Sequence, residues 1–147
     1  MKLGDLKLNV RKTDESKGDI SKFISENTII SAFEKVADKQ PDKNAVFDGT
    51  VWMTFGELKN SADAVAAFIN KLNIKKGSFV PIMVERKNAA ISLMIGIMKA
   101  GCAYVPLDPD LPVKRLTDII LQCEAPLLFF SSPYIRNANL LECNSPS

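Results

Sequence analysis

Apolar and polar positions change their period along this chain, and each change marks a segment. From Asn27 or Thr28 onward, Ile29, Ile30, Phe33, Val36 and Ala37 recur on one helical face, and Pro41 stops that helix. Ala45, Val46 and Phe47 run into Asp48-Gly49, and Val51, Trp52 and Met53 return, which predicts a small hairpin. A longer helical stripe follows in Phe55, Leu58, Ala62, Val65, Ile69 and Leu72. Its start carries a capping box, in which the Thr54 hydroxyl takes the third helical amide and Glu57 reaches back to the amide of Thr54.

Beyond Lys75-Lys76-Gly77 the pattern becomes strand, helix, strand, helix, strand. Phe79 to Val84, Cys102 to Val105 and Leu127 to Phe130 are apolar on both faces, as strands covered on both sides are. Between them lie a helix from Ala89 to Lys99, apolar almost all round, and one from Pro112 to Cys123 with Leu116, Ile119, Ile120 and Cys123 on one face. Strands separated by helices of this length imply right-handed crossovers, hence an α/β fold, a parallel sheet with flanking helices. Pro81 has no N–H, so its strand is expected at an edge, or to begin pairing beyond that residue. The last strand, in a parallel sheet, wants a further strand beside it.

The junctions carry their own signals. Lys99 suits the negative end of a helix and Gly101 supplies a left-handed stop. Asn88 is a candidate cap for the helix it precedes, and Glu85-Arg86 reads as a surface ion pair or cap rather than a binding pair. Asp108 and Asp110, bracketed by prolines at a strand end, read as turn-forming rather than catalytic. Residues 1–22 are expected to form a loosely held arm, since Leu3, Leu6, Leu8 and Val10 alternate with charges before the sequence turns polar. Residues 134–147 are expected to form a polar tail, with Leu140 and Leu141 its sizeable apolar pair.

Composition narrows the function classes. With 19 basic and 17 acidic residues scattered along the chain there is no basic stripe, so no nucleic-acid partner is expected. The helix at 89–98 is too short to span a bilayer and the amino terminus has no signal-peptide core, so neither membrane nor export is expected and the chain is placed in the cytoplasm. Cys102, Cys123 and Cys143 stand about twenty residues apart and histidine is absent, which removes a zinc site and any Ser-His or Cys-His nucleophile.

Two stretches go further. Met98-Lys-Ala-Gly-Cys-Ala-Tyr-Val-Pro-Leu-Asp108, with Pro112-Val-Lys-Arg-Leu116 behind it, resembles the second core motif of the adenylation domains of nonribosomal peptide synthetases, members of the adenylate-forming (AMP-dependent synthetase and ligase) superfamily. Met53-Thr54-Phe55-Gly56-Glu57-Leu58 resembles their first. The resemblance runs from about residue 24 to about 132 and implies a partial adenylation domain over residues 23–133, the opening part of the large N-terminal subdomain. In that family an amino acid and Mg-ATP give an aminoacyl adenylate and pyrophosphate, and a thiol then accepts the acyl group. The chemistry uses a Ser/Thr/Gly-rich loop ending in Pro-Lys-Gly, an aspartate for the ribose and a late lysine, and this sequence holds none of them. Its glycines at 49, 56, 77, 96 and 101 stand singly.

No catalytic, cofactor-binding or metal-ligating residue is therefore assigned, and no cofactor is expected for the fragment; ATP and Mg belong to the complete domain. The implied function is that of an N-terminal fragment of an amino-acid-activating adenylation domain, inactive alone, whose partner is the missing remainder of that domain. One half of a split adenylate-forming enzyme, or a non-catalytic interaction protein that kept the fold, are the alternatives. Residues that select the acid lie, in the family, beyond this stretch.

Overall fold

A computed structural model describes residues 28–143; the arm expected at 1–22 lies outside them. Helix α1 (Ile29–Lys39) opens on Thr28, whose hydroxyl accepts the Ser31 amide at 3.2 Å. Strands β1 (Asn44–Phe47) and β2 (Trp52–Thr54) pair antiparallel. Asp48 organises their turn: its Oδ1 accepts from the Thr50 amide (3.0 Å), the Thr50 hydroxyl (2.7 Å) and the Val51 amide (3.0 Å), and Gly49 takes φ +95°.

Helix α2 (Phe55–Lys71) begins with the expected capping box: the Thr54 hydroxyl accepts the Glu57 amide at 3.2 Å and Glu57 Oε2 accepts the Thr54 amide at 2.8 Å. Thr54→Ala is expected to lower stability by about 1 kcal/mol, the usual value of a lost cap, in a urea titration. An unchanged midpoint would show that the box contributes nothing.

Strand β3 (Phe79–Met83), helix α3 (Asn88–Lys99), β4 (Ala103–Pro106), α4 (Val113–Gln122), β5 (Phe129–Phe130), a 3₁₀ turn (Ser132–Tyr134) and α5 (Ile135–Cys143) follow in order. The sheet order is β4-β3-β5, all parallel. The chain steps from β3 to β4 and then back across β3 to β5, so with right-handed crossovers α3 and α4 fall on opposite faces. Two cores result. Val80, Ile82, Leu93 and Ile97 close one face together with Ala66 and Ile69 of α2; Met83, Leu107, Leu116, Ala138 and Leu141 close the other.

Two expectations change here. Pro81 sits in the central strand, not at an edge; the other expectation, pairing that begins beyond Pro81, holds on the β5 side and not on the β4 side. Ser78 and Ile82 accept from the Ala103 and Leu107 amides of the β4 side at 3.0 and 2.8 Å. Alternate residues of a parallel strand address opposite neighbours, so Pro81 addresses β5, where pairing begins only at Ile82↔Phe129. The missing N–H therefore falls where no ladder bond is made, and β5 is short because nothing at Pro81 extends it back toward Leu127. The second change is at the carboxyl end: Ile135–Cys143 is a helix, not a polar tail, and Ala138 and Leu141 are buried in the second core at 3% exposure each.

Candidate functional site

In open α/β sheets ligands gather at the carboxyl ends of the strands, near the point where strand order reverses. Here that region is built by Val84 to Lys87 after β3, Leu107 to Pro112 after β4, and Ser131 to Tyr134 after β5. A cavity of about 560 Å³ lies between the first two loops, with Glu85, Arg86, Asp108, Asp110 and Tyr134 on its wall. A second, of about 420 Å³, lies beside the end of β5 and is lined by Met53, Val65, Leu93 and Phe130 among others.

The groups singled out at these ends are engaged in structure. Asp108 Oδ1 accepts the Asp110 amide at 3.0 Å and the Asp108 carbonyl accepts the Leu111 amide at 3.2 Å, a turn braced by Asn137 Nδ2 donating to the Pro109 carbonyl at 3.0 Å. Glu85 pairs with Lys87 at 3.3 Å rather than with Arg86, and its amide donates to the Ser131 hydroxyl at 3.3 Å.

Asn88 is not the cap of α3. Lys87 holds that position without a side-chain bond, and Asn88 is 6% exposed, with Nδ2 donating to the Val51 carbonyl at 2.9 Å. Asp48 does related work from across the fold. Hydrogen bonds from the Thr50 hydroxyl and the Val51 and Thr50 amides, with a further contribution from the Asn88 amide, hold its carboxyl at about 2. The hairpin turn thus anchors the start of α3.

Lys99, expected only to complement a helix dipole, is the centre of a clamp. Its side chain is 12% exposed, and its ammonium pairs with Glu34 of α1 at 2.6 Å and with Asp63 of α2. Burial pushes its pKa down, but the hydrogen bonds it donates to Asp63 and Glu34 outweigh that and leave it above the ordinary lysine value. A raised pKa stabilises the fold fully below the unfolded value of 10.5 and is lost as pH rises through the folded one. Lys99→Met is expected to lower stability by about 1–2 kcal/mol at neutral pH, between the values for exposed and buried pairs because both carboxylates remain partly solvated. It should also flatten the alkaline fall expected in denaturation midpoints above about pH 10; equal slopes for variant and parent would remove the clamp. The sequence signal was faint: Lys99, Asp63 and Glu34 each sit on a helix, and nothing local joins them.

Among the described residues the glycines serve turns and packing: Gly49, Gly77 and Gly101 take positive φ, Gly56 lies against Pro41, and Gly96 lies against Val65. Among those residues no group of histidine, cysteine or carboxylate side chains could hold a metal, and no helix is long and apolar enough to cross a membrane.

A parallel sheet wound on both faces, with its clefts at the strand ends, places the chain among the doubly wound α/β proteins. Residues 33–145 match the family described as AMP-binding enzyme, and the chain belongs to that family. It is 32% identical over 126 residues, 86% of this chain and 4% of the relative, to bacitracin synthase 2 of Bacillus licheniformis. A benzoate CoA ligase from Burkholderia xenovorans superposes with a TM-score of 0.76 at 17% identity, over 82% of this chain and 24% of that one, which shows the shared fold. A four-domain nonribosomal peptide synthetase solved with AMP and glycine superposes with a TM-score of 0.67 at 27% identity, over 74% of this chain and 8% of that one. The chain thus spans a few per cent of the curated relatives it matches, from 1% to 4%.

Proposed function

We propose that this chain is the N-terminal part of an amino-acid-activating adenylation domain of nonribosomal peptide synthesis, acting in the cytoplasm and inactive by itself. The single observation that carries the reading is the pair of core motifs at Met53–Leu58 and Met98–Asp108, each now with a structural role. The first starts α2 through the capping box, and the second supplies the Lys99 clamp, the Gly101 stop at φ +77° and strand β4. Relatives named as nonribosomal peptide synthetases support the amino-acid branch of the family.

In that reading the complete domain converts an amino acid and Mg-ATP to an aminoacyl adenylate. This stretch contributes the first strands and helices on which the later, substrate-binding residues are mounted. It supplies neither the phosphate loop nor the lysine. The chain alone is therefore expected to show no amino-acid-dependent ATP–pyrophosphate exchange with any of the standard amino acids. Exchange by the isolated chain would refute the fragment reading. A split-enzyme arrangement, in which the remainder is a separate polypeptide, has one observation in its favour: among the described residues β5 is hydrogen-bonded on one side only. Co-expression with the product of the adjacent gene tests it, since exchange restored in the mixture would establish the split form.

A further inference from the structure

The β1–β2 hairpin has two unlike faces. Val46 and Met53, opposite one another in the register, turn toward α3, where the Ser92 hydroxyl donates to Met53 Sδ at 3.7 Å. Phe47 and Trp52, the next opposed pair, therefore project from the other side. Their rings stack with centroids 4.9 Å apart, yet Phe47 is 49% and Trp52 54% exposed, and the adjoining Val51 is 61% exposed. Large apolar side chains grouped in water on one small sheet face mark a contact surface.

That face is firmly mounted and stands apart from the parallel sheet. Asn88 Nδ2 donates to the Val51 carbonyl at 2.9 Å and Asp48 Oδ1 gathers the turn, so the hairpin is tied to the start of α3. The hairpin is a two-stranded sheet of its own and shares no ladder with β4-β3-β5. A preorganised apolar platform loses little freedom when it is covered.

The chain carries a segment of matching chemistry. Residues 6–11, outside the described residues, read Leu-Lys-Leu-Asn-Val-Arg, a strict alternation of apolar and polar positions that suits a strand with one side to bury. Leu6, Leu8 and Val10 then share a face and span about 13 Å at the usual strand rise, enough to lie across two stacked rings. Residues 12–27 join that segment to Thr28, and extended they reach roughly 50 Å. Helix α1 covers only about 16 Å and leads almost directly into β1, so the tether is ample. Tethering at such a length gives an effective concentration on the order of millimolar, so a contact too weak to hold a free peptide suffices. We propose that the Phe47–Trp52 face is the seat of residues 6–10 of the same chain, with Leu6, Leu8 and Val10 packed on the rings and Lys7 and Asn9 turned to water.

Trp52 is the single tryptophan of the sequence, so its fluorescence reports this face alone. The test compares the full 147-residue chain with its Leu8→Ser and Lys7→Ser variants by acrylamide quenching. Leu8→Ser removes the middle apolar contact and is expected to raise the quenching constant about twofold and move the emission to the red, as a covered indole opens to water. Lys7→Ser, one position away on the side turned to water, should leave both unchanged. Leu6→Ser repeats the test at the start of the run, with the same rise expected, in the event that Leu8→Ser alters the fold. Quenching of the Leu6 and Leu8 variants equal to that of the parent would overturn the seat. An equal rise in the Lys7 variant would overturn it too, since an alternating strand does not produce one. Emission of the parent that moves to the red on dilution would make a second copy of the chain the occupant and overturn the intramolecular one. None of these outcomes depends on pyrophosphate exchange, so the seat stands or falls separately from the fragment reading.

Discussion

Gly96→Ala is expected to be the most damaging glycine-to-alanine change for packing among the described residues, lowering stability by about 2 kcal/mol or more, as overpacking of a tight interior does. A Cβ at this position would lie 2.5 Å from Val65 Cβ and 2.7 Å from the Ala62 carbonyl oxygen. Both atoms are fixed by the backbone of α2, so the clash cannot be relieved by turning a flexible side chain, and α2 and α3 must move apart. Alanine's better helix propensity returns about 1 kcal/mol. Overpacking in a well-packed interior costs about 1–3 kcal/mol when the neighbours can adjust, and here the shift would also loosen the core of Ala66, Ile69, Leu93 and Ile97. The steric effect wins. Urea unfolding at neutral pH reads it directly, and a variant as stable as the parent would show that the two helices do not approach so closely.

Leu141→Ala is expected to lower stability by about 2 kcal/mol, the lower end of the range for removing a buried leucine, since a short helix can settle partly into the space left. Leu141 is 3% exposed and packs in the core of Met83, Leu107, Leu116 and Ala138. A dangling polar tail would make the substitution silent, so the unfolding midpoint discriminates sharply between helix and tail. Far-ultraviolet circular dichroism of the variant separates the loss of α5 from a wider collapse.

These two residues also show where reading the sequence stops. Gly96 looks, in a row of residues, like a weak point in an apolar helix; its purpose appears only when Val65 and Ala62, about thirty residues earlier by the numbering, arrive against it. The segment after Tyr134 carries too few apolar residues to announce a helix. Ala138 and Leu141 lie three positions apart and both face the core made by Leu116 and Met83. Tertiary burial, and not propensity, makes that helix. The same holds for the candidate site. The turn role of Asp108 was legible because it is closed within two residues, whereas the partner of Glu85 and the burial of Asn88 depend on how loops from three strands meet.

Features encoded within a few neighbouring residues could be read straight from the chain. The Thr54–Glu57 box, the Asp48-Gly49 turn, the Gly101 stop, the doubly apolar strands and the two family motifs all have their cause and effect inside one short window. Folding had to occur before Pro81 could be placed in the central strand, because what admits it there is that the β5 side it faces begins its pairing only at Ile82. The same is true of Lys99, which closes a clamp across three helices, and of Gly96, which is a contact point between two. The physical reason is one of range: a cap or turn is settled by local hydrogen bonds, whereas a ladder partner, a buried ion pair or a close helix crossing exists only after distant segments have been brought together.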